Sequence, residues 1–153
     1  MKKYIYVVLC FIMLFGLTGC GKKVISPDKF MSITKNYKLE VDDISSHFKE
    51  VKQIKNAFVA ESDDLWKIEY YVFDNNDSAK DMYNKNLEYY NENKASCKSA
   101  DEKSSKNIDE FTLDDVEYYM YVCRNKNTLI YVYAPSNSKT QVDKVLRALK
   151  YKK

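Results

Sequence analysis

The chain has 153 residues, 45% of them hydrophobic and 31% charged, with 25 basic against 22 acidic side chains. That length fits one domain, and so even a balance gives no electrostatic case for binding nucleic acid. All three glycines, Gly16, Gly19 and Gly21, precede residue 22, which excludes the P-loop and Rossmann types of nucleotide site, whose turns need glycine for positive φ and close backbone approach.

Lys2 and Lys3 form a basic start, followed by a charge-free apolar run from Tyr4 to Leu17. A membrane span needs about 20 residues, whereas the apolar region of a secretory signal runs to about 7–15 residues, and this run fits the second. The next residues, Leu17-Thr18-Gly19-Cys20, resemble the lipobox of bacterial lipoproteins: an aliphatic residue, two small ones and a cysteine. The resemblance implies cleavage between Gly19 and Cys20 and transfer of a diacylglyceryl group to the Cys20 thiol, with further acylation of the palmitate kind. The expected organisation is a signal peptide over 1–19, a lipidated cysteine and tether over 20–26, and a single extracytoplasmic domain over 27–153, held at the cell membrane. Two acyl chains give stable anchoring at about 0.8 kcal/mol per buried methylene. Cys10, Lys2 and Lys3 would leave with the signal, and the basic and acidic side chains that remain would differ by a single charge.

Ser26-Pro27-Asp28 is a helix start, with a capping side chain, proline at the first helical position and an early acid. Phe30, Met31, Thr34 and Tyr37 share one face of a helix of about ten residues. Residues 38–53 are ambiguous, with a short helix at 42–48 as one option. Lys55–Glu61 and Leu65–Phe73 read as two strands joined at Ser62-Asp63-Asp64. Ala79, Met82, Tyr83, Leu87 and Tyr90 recur at helical spacing after a cap at Asp77 or Ser78. The polar run 96–110 reads as an exposed loop, with or without a short strand. Phe111–Arg124 and Thr128–Ala134 read as a hairpin turning at Asn125-Lys126-Asn127. Ser138 and Gln141 match a capping box ahead of the apolar stripe Val142, Val145, Leu146 and Leu149.

The expected fold is therefore α+β, in the order α-ββα-ββα, a two-layer antiparallel sheet with helices on one face. The two ββα units overlay without a gap, with Ile68 on Ile130, Tyr71 on Tyr133 and Leu87 on Leu149. Either a duplicated unit or two similar units serving the same packing accounts for this. The layout is similar to that of small lipoproteins of low-GC Gram-positive bacteria, a resemblance that implies no particular activity.

Strand alternation gives one face to Ile68, Tyr70, Val72, Tyr118, Met120, Val122, Ile130, Val132 and Ala134. The other face receives Tyr71, Phe73, Tyr119, Tyr121, Tyr131 and Tyr133. That aromatic set is the candidate interaction face if it meets solvent, and ordinary packing if the first helix covers it. Cys97 and Cys123 read first as a disulfide outside the cytoplasm, with two thiols as the alternative. His47 is the only histidine, which leaves too few ligands for a structural zinc site and a thin basis for catalysis beside Ser45, Ser46, Asp42 and Asp43. No nucleophile-elbow glycines exist, and no cofactor is called for. The expected function is non-catalytic binding at the cell envelope, to a protein, a cell-wall component or a small ligand. A small envelope hydrolase and a ligand-binding accessory of a transport system are the alternatives.

Overall fold

The structure is a computed structural model that describes residues 23–153. The signal, the lipobox and Cys20 lie outside the described residues. Helix α1 spans Pro27–Asn36 and opens as its sequence dictates, with Ser26 Oγ accepting from the Lys29 N–H and Pro27 at the first position. Strand β1 (Glu40–Asp43) follows, then a 3₁₀ turn at Ser45–Phe48 within the region that reads ambiguously in sequence. Strands β2 (Ile54–Glu61) and β3 (Lys67–Phe73) form the first hairpin. Helix α2 (Asn76–Asn93) is capped by Asn75, whose Oδ1 accepts from the Ser78 N–H at 2.9 Å. Strands β4 (Ser99–Ser104), β5 (Ile108–Asp114), β6 (Tyr118–Asn125) and β7 (Thr128–Pro135) follow, and helix α3 (Lys139–Ala148) comes last. No helix among the described residues is long and apolar enough to cross a membrane.

These seven strands join one antiparallel sheet in the order β1-β2-β3-β7-β6-β5-β4. The α+β class holds, but the sheet is larger than the expected order supplies. The segment 96–110 contains a whole edge strand, β4, whose residues are all exposed. No apolar alternation marks it, because a strand at the edge needs only backbone partners, and its charges discourage further pairing. The expected strand Phe111–Arg124 is two strands, broken at Asp115-Val116-Glu117, with β5 alternating in burial along its length.

The two-layer expectation is overturned. One face packs Phe58, Ile68, Tyr70, Tyr119, Tyr121, Ile130 and Val132 beneath Phe30 of α1 and Val142, Val145 and Leu146 of α3. The opposite face packs Phe73, Phe111, Leu113, Met120, Val122 and Leu129 beneath Ala79, Tyr83 and Tyr90 of α2. The sheet is covered on both sides, which suits its nearly continuous apolar strands. The cause is connectivity: α2 must carry the chain from the central strand β3 to the far edge at β4, and it does so over one face while α1 and α3 occupy the other.

The same arrangement decides the question of duplication. Strand β3 pairs β7 with Ile68 opposite Val132 and Tyr70 opposite Ile130. Overlaying β3 on β7, with Ile68 on Ile130 and Tyr70 on Val132, maps these two pairs onto each other. A local two-fold axis therefore passes between Glu69 and Tyr131. Such an axis preserves the faces of the sheet, yet α2 and α3 pack on opposite faces. Strands β3 and β7 are symmetry-related in register, but the hairpins are not: the same offset carries the Phe58–Tyr70 pair onto Met120 and Val132, whereas Met120 pairs Tyr133. The ββα units are not copies of one packing unit.

Without glycine, four of the described residues adopt left-handed backbone: Lys38, Leu65, Lys126 and Lys150. Composition alone assigns that burden to Asn, Asp and Ser. Lys38 and Lys150 instead end helices, where the amides of the next residues, Leu39 and Tyr151, return to Thr34 O and Leu146 O. The capping box at Ser138 is also not formed, since a 3₁₀ turn at Ser136–Ser138 precedes α3 and Ser138 makes no side-chain cap.

Cys97 and Cys123 are not joined, contrary to the disulfide expectation. Cys123 lies in the core beneath α1 and α3, whereas Cys97 packs against the α2 side. The sheet stands between them.

A buried ion pair braces the far hairpin. Arg124 Nε donates to Asp109 Oδ2 at 2.7 Å, with 4% and 6% of the two side chains exposed, and Arg124 Nη1 donates to Lys126 O. Ser104 Oγ donates to the other Asp109 oxygen, Oδ1. Truncating one partner strands the other charge, at a cost of about 3–5 kcal/mol. Asp109→Ala is therefore expected to lower the unfolding free energy by that amount in a urea titration, and a loss under about 1 kcal/mol would show that the pair is effectively solvated.

Candidate functional site

Helix α2 covers only part of its face. It lies over Phe73, Phe111, Met120, Val122 and Leu129, leaving the end of the sheet that carries Lys67, Glu69, Tyr71, Tyr131, Tyr133 and Tyr118 partly open. Register places these side chains together: Glu69 is opposite Tyr131 and Lys67 opposite Tyr133. Tyr133 is 45% exposed, the most open tyrosine of the sheet, and its ring stacks on Tyr118 at 5.7 Å and 18°.

The ledge is braced by polar contacts. Tyr71 Oη donates to Glu69 Oε2 at 2.7 Å, and Lys67 Nζ lies 2.7 Å from Glu69 Oε1. Both carboxylate oxygens of Glu69 are thus occupied. The hydrogen bond to Glu69 raises the Lys67 pKa. Burial pushes the Tyr71 phenol up, with the Glu69 carboxylate adding to it, and burial does the same to Tyr131. Tyr118 is raised first by its hydrogen bond to the Cys97 thiol, at 3.4 Å, and then by burial. The ledge consequently presents the neutral phenols of Tyr71, Tyr118 and Tyr131 around a carboxylate paired with lysine.

A cleft of about 200 Å³ opens beside the ledge, lined by Phe48, Ile54, Glu69, Tyr71, Met82, Asn86, Leu129 and Tyr131. Phe48 meets Tyr71 edge-on at 5.7 Å. Asn86 Nδ2 donates to Met82 O within α2. The cleft is apolar-walled with few polar groups, as ligand sites are, but it falls short of the roughly 300 Å³ at which small-molecule pockets usually begin.

The six aromatic residues read as one face do not form one. Tyr71, Phe73, Tyr131 and Tyr133 lie on the α2 side, Phe73 fully buried there. Tyr119 and Tyr121 lie on the other face, buried beneath α3. The reason is a single residue in a turn. The β6–β7 hairpin closes with Asn125 opposite Thr128, a two-residue loop, where the sequence suggests three. A one-residue change of register moves every side chain of the strand to the opposite face, so Tyr121 pairs with Val132 rather than Tyr131. The same slip hides Tyr118, which belongs to the ledge. Phe48, Met82 and Asn86 reach it from distant segments, and no local signal marks them.

Tyr119 and Tyr121 instead hold the C-terminal segment. Tyr121 Oη donates to Tyr151 O at 2.7 Å, and Tyr119 Oη donates to Asp143 at 3.1 Å, with Lys152 also bonded to Asp143. His47 is exposed, and Ser45 Oγ is engaged with both the N–H and the C=O of Ala57. These two residues are not assembled into a catalytic pair. No group of three His, Cys, Asp or Glu among the described residues is placed to hold a metal ion.

No protein-family model matches the chain, and no curated protein matches it. Among solved structures, the chain is similar to the crystal structure of a GTP binding regulator from Thermotoga maritima. The identity is 17% over 84% of this chain and 90% of that one, with a TM-score of 0.49. That degree of likeness carries nothing over to the ledge or the cleft.

The tyrosines supply a pH prediction. Burial is the leading cause of the raised phenol pKa at Tyr70, Tyr71, Tyr119, Tyr121 and Tyr151. A folded pKa above the unfolded value of about 10 contributes stability that is complete below about pH 10 and is lost as pH rises towards the folded values. Urea midpoints are expected to fall steadily above about pH 10, with phenolate absorbance in the near ultraviolet lagging behind that of the urea-unfolded chain. Coincident titration of folded and unfolded protein would contradict the burial of these hydroxyls.

Proposed function

We propose that the protein is a membrane-anchored lipoprotein, lipidated at Cys20, whose extracytoplasmic domain binds a protein partner at the cell envelope without catalysing a reaction. The observation that carries this reading is the uncovered aromatic ledge: half-buried Tyr71 and Tyr131 and exposed Tyr133, on a sheet that helices otherwise cover on both faces. Tyrosine supplies large contact area with a hydrogen-bonding tip and little entropy to lose. The cleft of about 200 Å³ suits one apolar anchor side chain of a partner better than a free small molecule.

The anchor geometry is compatible with this use. Ile25 is buried in the core beneath α1, and Tyr70 Oη donates to its carbonyl at 2.6 Å. Cys20 lies five positions before it, at most about 18 Å of chain, so a lipid on Cys20 holds the domain close to the bilayer. The chain enters on the α1 face, opposite the ledge, which leaves the ledge clear of the tether.

Two experiments test the reading. Cys20→Ala is expected to abolish lipid labelling and release the protein from the membrane fraction; retention of the unlipidated variant at the membrane would refute the anchor. Crosslinked pull-down from intact cells is expected to lose its partner in Tyr131→Ala/Tyr133→Ala while keeping it in His47→Ala. Equal recovery of one partner by wild type and both variants would remove the ledge from the interaction.

A further inference from the structure

At the end of the sheet where β2 turns into β3, a second and larger cleft of about 480 Å³ lies between the C-terminal end of α1, the Ser62–Leu65 turn and the first turns of α3. It is on the opposite face from the ledge, and its volume falls within the range of ligand pockets. Its two walls carry opposite charge. Asp63 and Asp64 line the turn side, and Lys38 and Lys144 line the helical side. None of these four exposed side chains forms an ion pair with another described residue.

Two further features, Trp66 and Tyr37, belong to the same cleft, and a third, Leu65, lines an adjoining hollow that shares Asp63, Asp64 and Gln141 with it. Trp66 forms part of its wall, is 3% exposed, and its indole N–H has no acceptor among the described residues. Leu65, at the tip of the turn, is 90% exposed and holds left-handed backbone at φ 62°. A leucine in that conformation bears steric strain, and at that exposure it returns no packing to the core. Tyr37, 43% exposed, is an aromatic residue of the cleft lining itself.

We propose that this cleft binds a short zwitterionic peptide, with its cationic group on Asp63 and Asp64 and its carboxylate on Lys38 and Lys144. A backbone carbonyl of the peptide supplies the acceptor that the Trp66 N–H lacks. Because that nitrogen is sealed from solvent, the residues packed around Trp66 part slightly as the peptide enters. An apolar side chain of the peptide rests on Tyr37. This site is independent of the ledge assigned above, and neither reading rests on the other.

Trp66 is the only tryptophan in the sequence, so its fluorescence reports on the cleft directly. Full-length protein in detergent micelles is titrated with the tripeptide Lys-Ala-Leu, free at both ends, with calorimetry in parallel. A saturable change in Trp66 emission is expected, coinciding with the heat of binding. Asp63→Asn/Asp64→Asn and Lys144→Gln are each expected to weaken binding about tenfold or more, as loss of a charged hydrogen-bonding partner does, and Tyr131→Ala is expected to have no effect. N-acetyl-norleucyl-alanyl-leucinamide, which lacks both ammonium groups and the carboxylate, is expected not to bind. Absence of heat and emission change overturns the proposal. So does heat without a Trp66 response, which places the peptide elsewhere, or equal affinity in the charge variants.

Discussion

The pairing of β3 with β7 is the constraint on which the rest of the structure depends. It joins two hairpins that lie far apart in the chain, and it places Ile68, Tyr70, Ile130 and Val132 at the middle of a seven-stranded sheet. Loop closure over that distance is costly before any contact rewards it. The reward is a pair of strands buried on both faces, with helices α1 and α3 on one side and α2 on the other. Once β3 lies inside the sheet, its following chain can reach the edge strand β4 only by crossing a face. That crossing is α2, and the stretch of sheet it does not cover is the ledge.

Register is the second determinant. Lys126 and Asn127 close the β6–β7 hairpin as a two-residue loop, with Lys126 in left-handed backbone at φ 55°. This turn sends Tyr119 and Tyr121 inward beneath α3, where their hydroxyls hold Asp143 and the Tyr151 carbonyl. It sends Tyr118 outward to stack on Tyr133. The Arg124–Asp109 pair and its bond to Lys126 O fix the same hairpin from below. The distinction between a structural tyrosine and an accessible one therefore rests on one residue of loop length.

Much of the architecture is legible in sequence. Ser26-Pro27 starts α1 as expected, the first hairpin and the long α2 appear where periodicity puts them, and Val142, Val145, Leu146 and Leu149 bury as one stripe. Strand β4 is not legible, because all six of its residues are exposed and all but Ala100 are polar, so its strand character comes wholly from pairing with β5. Half of the aromatic face is legible: Tyr71, Tyr131 and Tyr133 follow from alternation within β3 and β7. The lining supplied by Phe48, Met82 and Asn86 is not, since those residues come together only through tertiary packing. The cleft at Trp66 has the same character, with Lys38, Asp63 and Lys144 drawn from three separate elements.

Local sequence is enough for the helices, for the strands of the first hairpin and β7, for the absence of glycine-dependent nucleotide loops, and for the lipobox-like Leu17-Thr18-Gly19-Cys20. Each follows from side-chain periodicity, backbone freedom or a short motif. Long-range packing was needed to put helices on both faces, to place Cys97 and Cys123 on opposite sides of the sheet, and to select the tyrosines that stay open. Those outcomes depend on register and on the path of α2. The β6–β7 register turns on one residue of loop length that side-chain periodicity leaves open, and the path of α2 is set by the pairing of β3 with β7, residues far apart in the chain.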